Sequence, residues 1–187
     1  MKMMSRLPLL FVLALLAGCS TSAQLLVPPA SPSLRVRPAV SSIEVRDMSL
    51  PRYAAGDEVV VLNSDGEVDA LRGTVWADDP ERSLTLALSE NLATITGARV
   101  STEPWPFLEP PGVSISVRVT RLLATEGGML QFSGQYAIAP VTSGLADRSG
   151  QFAISVPIGG NSAQAIALAQ SQAVANLAET LARRIGR

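Results

Sequence analysis

The chain of 187 residues contains no histidine and a single cysteine, Cys19. Without histidine there is no imidazole for a zinc site, and neither a Ser-His-Asp nor a Cys-His catalytic set can be assembled. One cysteine leaves no partner for an intramolecular disulfide. Lys2 is the only lysine, and the formal net charge is −1, with no basic block anywhere along the chain. Recognition of nucleic acid is therefore not expected, because it needs a concentrated positive surface. Aromatics make up only 4% of the residues, which favours a core packed from aliphatic side chains and makes each tryptophan conspicuous.

What is present begins at the N-terminus. Lys2 and Arg6 precede an uncharged apolar stretch, Leu9 to Ala17. Nine helical residues rise only about 14 Å, against a bilayer core of about 30 Å. The stretch reads as the hydrophobic region of a signal peptide over residues 1–18, not as a membrane span. It ends in Leu16-Ala17-Gly18-Cys19, which resembles a lipobox: small residues admit the backbone to a peptidase cleft, and the thiol takes the lipid. Cys19 is thus the expected lipidation site and the first residue of the mature protein, with an anchor of several acyl chains, palmitate among them, holding it to a membrane. By resemblance to other lipoproteins, Ser20 rather than an aspartate after the cysteine favours the periplasmic face of the outer membrane, with the inner membrane as the alternative. Removal of Lys2 and Arg6 shifts the formal charge from −1 to −3.

Residues 19–41 hold Pro28, Pro29, Pro32 and Pro38 among Ser and Ala, and read as the lipidated N-terminus followed by a flexible tether. A single domain is expected over 42–187. Ile43 to Arg46 alternates as a strand. Glu58 to Asn63 is a β-branched run, and Ser64-Asp65-Gly66 turns it into a hairpin partner over Glu67 to Leu71. Asp79-Pro80-Glu81 is a helix start, Leu84, Leu88, Leu92 and Ile95 share one face, and Gly97 is the stop. Val113 to Thr120, Leu130 to Ile138 and Ser149 to Val156 alternate at period two as a meander. A long helix closes the chain from about Ser162 to Ile185, with Ile166, Ala169, Ala173, Leu177 and Leu181 as its seam. The expected class is α+β: a mostly antiparallel sheet covered by two helices, in the order strands, helix, strands, helix.

Few residues suggest a site. Asp78, Asp79 and Glu81 are explained by helix capping. Ser64-Asp65-Gly66 lacks the repeated oxygen ligands of a calcium loop. Gly159-Gly160-Asn161-Ser162 could hold an anion at a helix start but has no GK[ST] signature. No catalytic residue, metal ligand or cofactor is assigned, and an enzyme is not expected. The segment from Glu103 to Pro111 (EPWPFLEPP) sets Trp105 and Phe107 in a proline-stiffened loop, as contact surfaces often do, with core capping by Trp105 as the equal alternative. Trp76, just before the first helix, fits a core anchor better than a lipid- or partner-facing rim. Trp76, Trp105 and Phe107 are the candidate contacts for a partner or lipid.

Behind the lipobox, Leu50-Pro51-Arg52-Tyr53-Ala54-Ala55-Gly56, Val59-Val60, Ser64-Asp65, Trp76-Ala77 and the helix with Leu84, Leu88, Asn91 and Leu92 follow in an order that resembles the ABC-type transport auxiliary lipoproteins, the PqiC-like family. The likeness is strongest over Ile43 to Gly97. It implies a non-catalytic subunit of an MCE-type lipid transport system that maintains envelope integrity. The implied partners are an MCE-type periplasmic protein with its ABC permease and ATPase, with a homo-oligomer conceivable. Two alternatives from other classes are a free periplasmic lipid-binding carrier and a structural lipoprotein assisting outer-membrane assembly.

Overall fold

The computed structural model describes residues 22–160 and 162–186; the signal-peptide stretch and Cys19 lie outside the described residues. Among the described residues, eight strands form one sheet, and two helices pack against it. The strands are β1 (Ala23–Leu25), β2 (Ser42–Val45), β3 (Glu58–Leu62), β4 (Val68–Trp76), β5 (Arg99–Thr102), β6 (Val113–Thr125), β7 (Met129–Pro140) and β8 (Arg148–Pro157). Helix α1 (Pro80–Thr96) separates β4 from β5, and α2 (Ala163–Ile185) follows β8.

Strand β6 is the spine. One of its edges carries β7 along nearly its whole length, and β7 carries β8, both antiparallel. The other edge is shared. At its start, Val113 and Ile115 pair in parallel with Ile43 and Val45 of β2, and at its end Ala124 and Thr125 pair in parallel with Val61 and Leu62 of β3. Each branch then grows outward, β5 running parallel to β2, β4 antiparallel to β3, and β1 parallel to β4.

The expectation of a mostly antiparallel sheet is therefore corrected: the sheet is mixed, and four of its seven strand pairings are parallel. The physical reason is connectivity. Hairpins reverse the chain, but α1 is a crossover that returns it from the foot of β4 to run beside β2 in the same direction. Alternation in sequence reports which face a side chain occupies and carries no information on strand direction.

Local chemistry explains the elements. In the β3–β4 turn the Asn63 side chain accepts from the Asp65 and Glu67 N–H groups, at 3.0 and 2.9 Å, and Gly66 takes φ +85°. Asp79 caps α1, its carboxylate accepting from the Arg82 N–H at 2.8 Å. Gly97 ends the helix in the left-handed conformation at φ +66°, its N–H donating to the Ala93 carbonyl. Ser162 caps α2 in the same manner, accepting from the Ala165 N–H at 3.2 Å.

One core lies between the helices and the inner face of the sheet. Leu84, Leu88, Leu92 and Ile95 of α1 meet Ile166, Ala169, Ala173, Leu177 and Leu181 of α2 there, all buried. On β6, Val113, Ile115, Val117 and Val119 point inward, but beyond a bulge at Val119–Arg121 the inward residues are Leu122 and Ala124. One extra residue in a strand switches its faces, so the bulge lets a long bent strand keep its apolar side on the core. Across β7 and β8 large residues sit opposite glycines: Phe152 faces Gly134, and Tyr136 faces Gly150.

The segment expected as a tether lies on the domain from Ala23 onward. Residues 23–25 pair with Thr74–Trp76, the Val36 N–H donates to the Ile95 carbonyl, and the Ala39 N–H donates to the Ile185 carbonyl, both at 2.9 Å. Leu34 and Val36 pack against the core. Proline prevents a regular strand here, yet single backbone hydrogen bonds and alternate apolar side chains still dock the segment.

Candidate docking surface

The loop between β5 and β6 holds two of the three candidate contacts in one rigid unit. At its start the Glu103 N–H donates to the Val45 carbonyl at 3.0 Å, and the Arg46 guanidinium donates two hydrogen bonds of 3.3 Å to the Glu103 carboxylate. The Glu103 carboxylate raises the Arg46 pKa above its ordinary value, through those hydrogen bonds first and through its charge second. At its end the Gly112 N–H donates to the Ser42 carbonyl and hydroxyl, at 3.2 and 3.0 Å, and the Pro111 carbonyl accepts from the Thr142 hydroxyl at 3.0 Å. A side chain at Gly112 would press on the Ser42 carbonyl at 3.0 Å and on Val40 at 3.1 Å. Glycine therefore suits this close approach of loop and β2, where any larger residue would have to push its neighbours aside by a few tenths of an ångström.

Between those fixed ends the loop is braced by its own side chains. The Trp105 indole N–H donates to the Glu109 carbonyl at 2.7 Å, closing a ring across the loop. The Trp105 and Phe107 rings meet edge to face with centroids 5.0 Å apart, and the Arg99 guanidinium lies 5.0 Å from the Phe107 centroid. An aromatic pair of this geometry is worth about 0.5–1.5 kcal/mol, and an exposed cation–π contact about 0.5–1 kcal/mol. Four prolines at 104, 106, 110 and 111 restrict the backbone further. The product is a preformed apolar knob: Trp105 is half-buried inside it, Phe107 is exposed, and Leu108 is fully exposed, at 101% of its reference area.

Trp76 stands apart from this knob. It ends β4, pairs in register with Leu25, and is half-buried against the core. The carboxylates near it have structural partners: Asp78 accepts from the Asp79 N–H and pairs with Arg82, and Glu81 accepts from the Leu50 N–H at 2.9 Å. Among the described residues no group of three or more His, Cys, Asp and Glu is placed to hold a metal ion, and no helix is long and apolar enough to cross a membrane. A cleft of 420 Å³ between the β3–β4 hairpin and the start of α2 has Val61, Leu71 and Ile166 on its walls together with Asn63, Asp69 and Glu126.

Sequence reasoning singles out Trp105 and Phe107 but not the residues that lock them. Arg46 and Glu103 are 57 positions apart, and Arg99 belongs to a different element from Phe107. No spacing rule links such pairs. Leu108 is part of the aromatic segment, but only its exposure marks it as the tip.

Comparison with known proteins gives a family and a fold. The family described as "ABC-type transport auxiliary lipoprotein component" matches residues 24–182. A crystal structure described as that of an uncharacterized protein superposes with a TM-score of 0.72 at 20% identity, covering 89% of this chain and 99% of the other. A Xanthomonas campestris protein assigned to family DUF330 superposes with a TM-score of 0.56 at 18% identity, covering 82% of this chain and 92% of its own. At these identities the likeness speaks to the fold. Among curated proteins, none matches the chain.

Proposed function

Since the chain belongs to the ABC-type transport auxiliary lipoprotein component family, we propose that it is a non-catalytic subunit of an MCE-type lipid transport system, anchored through Cys19 to the periplasmic face of the outer membrane. One observation carries the reading. The family match runs from β1 to the last turn of α2, so the whole described domain is the module that family uses. The lipobox directly before it supports the anchor, and Ser20 supports the outer membrane over the inner.

The domain's chemistry suits docking better than turnover. Its carboxylates near α1 are spent on caps and backbone N–H groups, whereas Leu108, the most exposed large apolar side chain among the described residues, stands with the exposed Phe107 on a braced loop. A preformed aromatic knob can enter a partner's pocket with little ordering cost. The carrier alternative asks for an enclosed apolar chamber, and the 420 Å³ cleft has mixed walls, with Asn63, Asp69 and Glu126 beside Val61, Leu71 and Ile166.

The test is co-purification of the lipidated protein from detergent-solubilised envelope. An MCE-type protein with its permease and ATPase is the expected company, and recovery of unrelated proteins alone counts against the proposal. In parallel, Cys19→Ala should leave the circular dichroism spectrum unchanged and abolish the protein's contribution to envelope integrity. Full complementation by that soluble variant would overturn the role given to the anchor.

A further inference from the structure

The register of the sheet separates the anchor from the knob. Strand β1 runs parallel to β4, β4 antiparallel to β3, and β3 parallel to β6. The N-terminal end of β1 therefore points toward the Thr125 end of β6. Only Ser20, Thr21 and Ser22 lie between Cys19 and β1, and four Cα steps reach at most about 14 Å. The knob belongs to the opposite end. Arg99, which lies over Phe107, pairs with Ser42, and the next residue, Ile43, pairs with Val113 at the start of β6. Strand β6 has 13 residues, which at strand rise is about 40 Å.

From this placement we infer that the Trp105–Phe107–Leu108 knob faces away from the anchoring membrane and docks a protein, the partner surface being an apolar pocket bordered by an arginine or lysine. The inference rests on the reading of Cys19 as the lipidated residue and identifies which surface of the proposed subunit meets its partner. Two further observations favour protein over lipid. Glu109 sits beside the tip, and among the described residues its carboxylate forms no ion pair. That negative charge at the tip would be repelled by anionic headgroups but complemented by a basic pocket rim, while the knob's cation, Arg99, lies against the Phe107 ring. The knob is also held rigid by the Trp105–Glu109 hydrogen bond and the Arg99 contact. Such preorganisation serves a shaped pocket, whereas a fluid bilayer has no shape to match.

The test uses the full-length lipidated protein, in which a thioether occupies the Cys19 sulfur and an introduced cysteine is the only free thiol. Leu108→Cys and Asp65→Cys, the latter at the β3–β4 turn, are labelled with a fluorophore and incorporated into phosphatidylethanolamine–phosphatidylglycerol vesicles carrying headgroup nitroxides. Quenching at position 65 is expected to exceed that at 108 several-fold. Equal or stronger quenching at 108 overturns the orientation. Failure of the protein to associate with vesicles at all overturns the Cys19 reading instead. In the second arm, Leu108→Asp should lower recovery of the MCE-type partner about tenfold while vesicle association stays intact. Unchanged recovery overturns the docking role, and absence of that partner from the wild-type preparation overturns the proposed function, with the orientation still judged by the labels.

Discussion

Substitution of Gly134 by alanine should be among the most damaging single-methyl additions to this protein. Gly134 in β7 pairs with Val119 of β6, at the point where the β6 bulge begins. A Cβ there would lie 2.3 Å from the Arg118 carbonyl oxygen, 2.9 Å from the Val119 Cα and 3.0 Å from the Phe152 ring. Overpacking of a core usually costs about 1–3 kcal/mol. Two of these three contacts are backbone, which no rotamer change can relieve, so the cost should fall near the top, about 3 kcal/mol. For a domain of this size that lowers Tm by about 6–12 °C. The assay is thermal and urea unfolding, followed by circular dichroism, of the mature chain carrying Cys19→Ser. Gly150→Ala is the informative companion, because the three atoms nearest its Cβ all belong to the Tyr136 side chain, at 2.6, 2.8 and 3.0 Å. A ring can tilt, so the loss should be smaller. Gly144, with nothing within 4 Å, is the control, and its alanine variant should stay within about 0.5 kcal/mol of wild type. If Gly134→Ala unfolds no earlier than Gly144→Ala, the bulged backbone of β6 yields freely and the reasoning is wrong. Adding Phe152→Leu should not rescue Gly134→Ala, since the shortest contact is with a carbonyl.

Two further outcomes follow from named contacts. Removal of the α1 cap by Asp79→Ala should cost about 1 kcal/mol, while Asp79→Asn retains most of the stability; urea midpoints compared at constant m-value decide it. Trp105→Ala should leave Tm within a few degrees of wild type, because the rest of the knob touches little of the core. It should nevertheless reduce partner recovery in the co-purification assay as Leu108→Asp does, since Phe107 loses its edge-to-face neighbour.

Much of the local structure was legible before folding. The capping aspartate, the proline behind it, the four-four-three spacing of Leu84, Leu88, Leu92 and Ile95, and the glycine stop describe α1 to within a residue, and all are short-range devices. The same holds for the β3–β4 turn, although the sequence pattern stops its second strand at Leu71, whereas β4 continues to Trp76. Gly73 adopts φ +75° without ending the strand, because β4 bulges there, advancing five residues from Ala70 to Val75 while β3 opposite advances only two, between Glu58 and Val60. The candidate surface was half legible. Two aromatics among four prolines are unusual enough in a chain with eight aromatics to mark the loop, but Arg46 and Arg99 reach it from positions that spacing does not connect.

The physical division is between short-range and long-range terms. Helix caps, apolar periodicity, glycine turns and the lipobox before Cys19 act over a few residues, so the chain's own order was enough to locate the elements, the expected anchor and the absence of imidazole chemistry. Strand direction, the shared edge of β6, and the docking of residues 23–40 on the domain arise from pairings between segments 50–100 residues apart in places, such as Ile43 with Val113 and Ala23 with Thr74. Those depend on how crossovers return the chain, which only the assembled sheet resolves. The same pairings turn the N-terminal end of β1 toward the Thr125 end of β6 and set the aromatic knob at its Val113 end, a relation that no stretch of sequence contains.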